Sequence, residues 1–242
     1  MTVLVLDTGR RITPFGDGVG AMPVGTGTLA GHQERLASIP GGAARHVPAG
    51  ADLPTTGVPT LVLMDHAFVS RRLVRALRGM TGTAFRVALP ASRFTELYAQ
   101  HQGTVVGPDG AHGYDAWWFP SGVPSGTSGA MLADLPARTV PFREKIIPFD
   151  MPPNIMGRAV HPHPLTTTVA MHLHHWVHVL WLGNLWPQIE IVERITQAPL
   201  STAWRLIRAA RPTPGATRYA VARSFTWRGR GVEVHPTACV EL

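Results

Sequence analysis

The chain has 242 residues, 45% of them hydrophobic and 15% charged, which is enough to bury the core of one large domain or of one domain with an appendage. No run of about eighteen apolar residues excludes a membrane-spanning helix, no basic-then-apolar leader argues against secretion, and Cys239 as the only cysteine excludes an internal disulfide, so a cytoplasmic location is expected. The formal charge of +7 is almost all arginine, Lys145 being the only lysine; arginine suits phosphate, but the same bias follows from a GC-rich genome, so charge alone assigns no partner.

Val3-Leu4-Val5-Leu6 is a short apolar run that predicts a buried strand, and it leads into the turn Asp7-Thr8-Gly9-Arg10-Arg11. After Pro23-Val24-Gly25 a helix is expected over 28–38, and 41–57 reads as a Pro/Gly-rich connection. Thr60-Leu61-Val62-Leu63-Met64 is a continuous apolar run ending at Asp65, as in a strand buried on both faces. Leu73, Val74 and Leu77 share one face of a predicted helix over 71–77. Phe85-Arg86-Val87-Ala88-Leu89 is a further strand, and Ser92 caps a helix running to about His101. Strand, helix, strand, helix with short links defines an α/β chain: a Rossmann-like, mixed and mainly parallel sheet flanked by helices.

Beyond residue 103 the pattern changes. A hairpin is expected from 104–106 and 114–119 around Pro108-Asp109-Gly110, then a Gly/Ser/Pro loop over 121–129 and a β-rich stretch over 139–149. A long helix is predicted over 165–185, stopped by Gly183, Asn184 and Pro187, with a second helical stretch over 188–210. These readings divide the chain into an α/β domain (1–160), a helical connector (161–211) and a β tail (212–242).

Two places carry chemistry. In the first turn, backbone amides and the guanidinium groups of Arg10 and Arg11 converge at the carboxyl end of a buried strand, which makes an anion site. Asp65, ending another strand, can by its position cap the helix beginning near Ser70; a metal-binding role is what a family resemblance implies for it. The second place is a set of histidines: His161, His163, His172, His174, His175 and His178. On a helix, His174 and His178 stand one turn apart and can chelate a metal. With Trp176, Trp181 and Trp186 among them, they equally describe a packed helix with polar tips. The arginines near the C-terminus accompany no nucleic-acid motif, so no nucleic-acid partner is expected.

Gly9-Arg10-Arg11-Ile12-Thr13-Pro14, followed by Pro23-Val24-Gly25, resembles the opening of the sugar-nucleotidyltransferases (NDP-sugar pyrophosphorylases). Leu61-Val62-Leu63-Met64-Asp65-His66-Ala67-Phe68 is similar to that family's aliphatic-Gly-Asp-x-x-Phe, and Phe142-Arg143-Glu144-Lys145 to its Phe-x-Glu-Lys-Pro. The resemblance implies transfer of a nucleoside monophosphate from a nucleoside triphosphate to a sugar 1-phosphate, with release of pyrophosphate. By the same resemblance Gly9, Arg10 and Arg11 would hold the nucleotide, and Arg11 would stabilise the leaving group. Asp65 and Asp150 would hold Mg2+, and Glu144 and Lys145 would contact the sugar phosphate. Val234-His235-Pro236-Thr237-Ala238-Cys239-Val240 resembles the entry rung of a left-handed β-helix, and equally reads as an edge strand. One rung cannot bury its own face, so further rungs are expected beyond it. The resemblance also implies self-association through the 165–185 helix and the β tail. Two departures support an alternative, a catalytically inactive scaffold on the same fold. Gly16-Asp17-Gly18-Val19-Gly20-Ala21 replaces the family's Pro-Lys, and Asp7-Thr8 replaces its small residues.

Overall fold

The computed structural model describes residues 1–14, 16–37, 44–150, 160–197 and 200, and the chain separates into the units Met1–Asn184 and Leu185–Leu242. In chain order the first elements are β1 (Thr2–Asp7), β2 (Arg11–Ile12), β3 (Asp17–Gly18), β4 (Pro23–Val24), β5 (Gly27–Thr28), α1 (Leu29–Ala37) and β6 (Ala44–Pro48). Then come β7 (Thr60–Met64), β8 (Ala67–Val69), α2 (Arg71–Arg78), β9 (Phe85–Leu89), α3 (Arg93–Tyr98), β10 (Val105–Val106) and β11 (His112–Phe119). The last are β12 (Ala137–Thr139), β13 (Lys145–Asp150), β14 (Val160–Leu165), β15 (Ala170–His172) and α4 (Trp176–Gln197).

The fold is α/β. Its main sheet runs in the order β12-β9-β11-β7-β1-β6, with β10 added on β11. β6, β1 and β7 are parallel, as are β9 and β12, and β11 runs antiparallel to both β7 and β9. The sheet is therefore mixed and mainly parallel, as the sequence predicts. Leu61, Val62 and Leu63 are fully buried on alternate faces, which is why this strand reads as a continuous apolar run. On one face Leu4, Leu6, Val62, Trp117 and Phe119 pack against Val47, Leu53, Val123 and Leu132. That face is covered by connections, one of which holds the 3-10 helix Gly129–Asp134 that carries Leu132. Val5, which alternates with Leu4 and Leu6, lines a cavity together with Ala30 of α1.

Three sequence expectations need correction. The 41–57 connection contains β6, an edge strand of which only Val47 is buried; with one apolar position facing the core it carries no periodic signal. The helix expected over 165–185 starts at Trp176, because 170–172 pairs as β15 with β8. Thr166, Thr167, Thr168 and Val169 form a β-branched run that is stiff at χ1 and costs helix propensity, and the sheet pairing decides the matter. Gly183, Asn184 and Pro187 do not end α4, which runs through them to Gln197. The β tail over 212–242 lies outside the described residues, as does most of the second helical stretch. Among the described residues no helix is long and apolar enough to cross a membrane.

The segment from Thr166 to Trp176 fixes what stands at the strand ends. The buried Ser70 hydroxyl donates to Thr167 O at 2.6 Å and accepts from Val169 N at 3.1 Å, while also capping α2 by accepting from Leu73 N. Leu173 N donates to His66 O, and Trp176 N to Thr13 O. His175 forms a β-bridge with Thr13. The strap is thus tied to β8 and to the loop after β1.

Candidate functional site

β1, β6 and β7 end side by side, and their carboxyl ends open onto a cavity of about 300 Å³ lined by Asp7, Gly9, Arg10 and Arg11 of the first loop, by Gly18–Gly20, and by Gln33, His46 and Asp65. That volume lies at the small end of ligand sites, which run from about 300 to 1,000 Å³. Gly9 turns the chain out of β1 at φ +65°, a left-handed conformation that glycine adopts without steric cost. The chain then enters the β2–β3 ladder, in which Arg11 pairs with Gly18.

Asp65 binds the loop directly. The Thr8 amide donates to its Oδ2 at 2.8 Å and the Thr8 hydroxyl reaches both oxygens at 2.8 and 2.9 Å. Burial alone would raise the Asp65 carboxyl, but hydrogen bonds from His66 and Thr8 outweigh it and hold the group below its usual range. The Ser70 hydroxyl, and not Asp65, caps α2, so Asp65 does not play the capping role that the sequence offered for it. Arg11 donates to Gly16 O at 2.8 Å, and Asp7 faces His46 at 3.1 Å. Gln33 of α1 donates to the carbonyls of Met64, Asp65 and Ala67, fixing the back wall.

Beside this cavity lies a second group that the sequence shows only in part. The rings of His66, His172 and His174 stand 4.4 to 5.2 Å apart by their centroids. Arg10 reaches His174 Nδ1 at 2.7 Å, and Asp65 Oδ1 lies 3.4 Å from His66 Nδ1, so cavity and cluster share a wall. Asp115 of β11 joins them: its carboxylate meets Arg86 at 2.6 Å and His66 Nε2 at 3.1 Å, and its amide donates to His172 Nε2 at 2.7 Å. Burial would lower the His66 imidazolium, but Asp115 and Asp65 raise it above the ordinary value. Burial pushes His172 down to about 4. Burial and its cationic neighbours push His174 down to about 3. Burial also opposes ionisation of Asp115, yet His66, His172 and Arg86 hold it well below the usual range.

Of the residues singled out in the sequence, Gly9, Arg10, Arg11 and Asp65 meet on one cavity. Glu144 and Lys145 are not among its lining residues; Glu144 Oε1 accepts from Phe94 N at 2.5 Å, at the start of α3. Asp150 closes β13 opposite Val160. Missed from the sequence were Asp115, which sits in an aromatic strand with no motif, and the approach of His66 to the later histidines.

These features define an α/β protein with a polar cavity of mixed charge at the carboxyl ends of parallel strands. No family model matches the sequence, and no curated protein matches it. Among solved structures, the chain is similar to one described as a glucose-1-phosphate thymidylyltransferase from Bacillus anthracis in complex with a sucrose. The likeness has 10% identity and a TM-score of 0.33, covering 50% of this chain and 71% of that one. At that score it identifies no shared site.

Proposed function

We propose that the cavity is a nucleotide site. In this reading the chain transfers a nucleoside monophosphate from a nucleoside triphosphate to a sugar 1-phosphate. A sugar-phosphate oxygen attacks the α-phosphorus, the bond to the β-phosphate breaks, and pyrophosphate leaves. The observation that supports the reading is the meeting of the Gly9-Arg10-Arg11 loop and Asp65 on one cavity at the strand ends. Amides and guanidinium groups there suit a triphosphate, whose transition state gathers negative charge on the departing oxygens. Mg2+ takes carboxylate oxygens together with waters and phosphates, and Asp7 and Asp65 both line the cavity, so the donor set fits it. The metal would neutralise phosphate charge. The side chain of Asp150, the other expected metal ligand, lies outside what the structure describes, and Glu144 is engaged with α3.

The scaffold reading is favoured by a specific observation: Arg11 is bonded to Gly16 O and Asp65 to Thr8, so both side chains already hold the loop together. Thermal-shift measurements with each nucleoside triphosphate and Mg2+ separate the two readings. Nucleotide binding raises stability by mass action, by about 2.7 kcal/mol at a hundred times Kd, and Arg11→Ala is expected to weaken it. A shift with no triphosphate leaves the scaffold. Pyrophosphate release on addition of sugar 1-phosphates tests the transfer itself.

A further inference from the structure

Among the described residues, one group of side chains offers three metal-ligating atoms within 4.8 Å of one another: His66, His172 and His174. They come from two distant stretches of sequence. His66 follows β7, whereas His172 ends β15 and His174 lies just beyond it. Pairing of β15 with β8 sets His172 opposite Ala67, and the Leu173 amide is held by His66 O. His66 and His172 are buried, and His174 is half-buried.

We propose that these three imidazoles form a site for Zn2+ or another imidazole-preferring divalent cation of the first transition row. The site goes beyond the nucleotide reading and does not depend on it. Nitrogen donors select such cations over Mg2+, which prefers oxygen. Three protein ligands leave one position of a tetrahedral zinc for water or another ligand, and Asp65 Oδ1, at 3.4 Å from His66 Nδ1, stands beside the cluster. The surroundings supply outer partners that orient metal-bound imidazoles. His172 Nδ1 donates to Gln102 O at 2.8 Å, which directs Nε2 into the cluster, and His66 Nε2 donates to the Asp115 carboxylate at 3.1 Å.

Two present bonds are exchanged on binding. His172 Nε2 gives up the Asp115 amide, and His174 gives up Arg10, an exposed side chain that can swing into the cavity. Zinc–nitrogen bonds of about 2.0–2.1 Å place tetrahedral donors about 3.3 Å apart, so the rings must also draw together.

The test uses the untagged full chain, stripped with chelator and titrated with Zn2+ alone by calorimetry, with bound metal counted by mass spectrometry. One zinc per chain is expected. His174→Ala should lose more than the about 10–100-fold that removal of an outer partner costs, whereas His112→Ala, outside the cluster, should bind as wild type. The visible spectrum of the Co2+-loaded wild-type protein gives a readout that needs no variant: intense d–d bands report a four-coordinate site. Absence of stoichiometric zinc, unchanged affinity in His174→Ala, or only weak six-coordinate Co2+ bands would overturn the proposal. Because zinc is the only ligand added, failure to bind nucleotides leaves this result untouched.

Discussion

Thr8 and Asp65 join the ends of β1 and β7 through bonds of 2.8–2.9 Å to a buried carboxylate. Hydrogen bonds to charged groups contribute about 1.5–3 kcal/mol each. Thr8→Val keeps the shape and the amide bond but removes the hydroxyl, so a loss of about 1–2 kcal/mol is expected in urea denaturation. A loss below about 0.5 kcal/mol would show that the amide alone holds the loop. A second residue-scale expectation concerns His32, which is buried on Phe68 with Nε2 against Val69 O at 2.8 Å. Burial pushes its imidazole down from 6.5 to about 4. Its folded pKa lies below the unfolded one, so the unfolded chain takes up the proton first. Stability is then lost as pH falls from 6.5 towards 4, at about 1.4 kcal/mol per pH unit. His66, whose imidazolium is favoured, acts oppositely and loses its contribution as pH rises. The comparison is therefore between wild type and His32→Gln, whose stability should fall less steeply over that window.

At the scale of elements, the short helices α2 and α3 start at local serine caps that are tied in turn to distant parts of the chain. α2 is capped by Ser70, whose hydroxyl also bonds Thr167 O and Val169 N. α3 carries the capping box of Ser92 and Thr95 and receives Glu144 on the Phe94 amide. Loss of an N-cap costs about 0.5–2 kcal/mol, and each buried group left unpaired adds about 1–3. Ser70→Ala is expected to cost about 2–4 kcal/mol. It should also speed amide exchange at Val169 and Leu173, because the strap would lose its anchor. Exchange unchanged along the strap would place its stability in the β8–β15 pairing alone. Ser92 is visible as a cap in the sequence because it sits at a fixed offset before its helix, whereas Ser70, at the same offset before α2, is passed over for Asp65 when the sequence alone is read. Glu144 is not visible as a cap, since it reaches α3 from far along the chain, and its neighbour Lys145 makes the pair look like a ligand motif.

For the molecule as a whole, the sheet is held by residues buried on both faces. Trp117 of the antiparallel β11 is 2% exposed and sits in the cluster with Leu4, Leu6 and Val62, while Arg86 lies over its ring at 5.5 Å. Trp117→Ala is expected to cost about 3–5 kcal/mol, a large part of the about 5–15 kcal/mol by which domains are stable. Calorimetry should find the variant melting far below wild type or not folding. A small change would mean that loops 47–53 and 119–135 collapse into the space. The mixed sheet was legible because β1, β7 and β9 announce themselves as local apolar runs, and their helices by local periodicity. β6 and the strap were not, because exposed edge strands and β-branched tracts take their conformation from partners. The first loop and Asp65 could likewise be read from residue type and order, since a turn after a buried strand is a local event. Only the tertiary structure brought His172 and His174 to His66, tied Asp115 to them, and gave Asp65 to Thr8. Those contacts depend on β8 pairing with β15 and on β11 entering beside β7, and no spacing within a short stretch of sequence encodes which strand will be the neighbour.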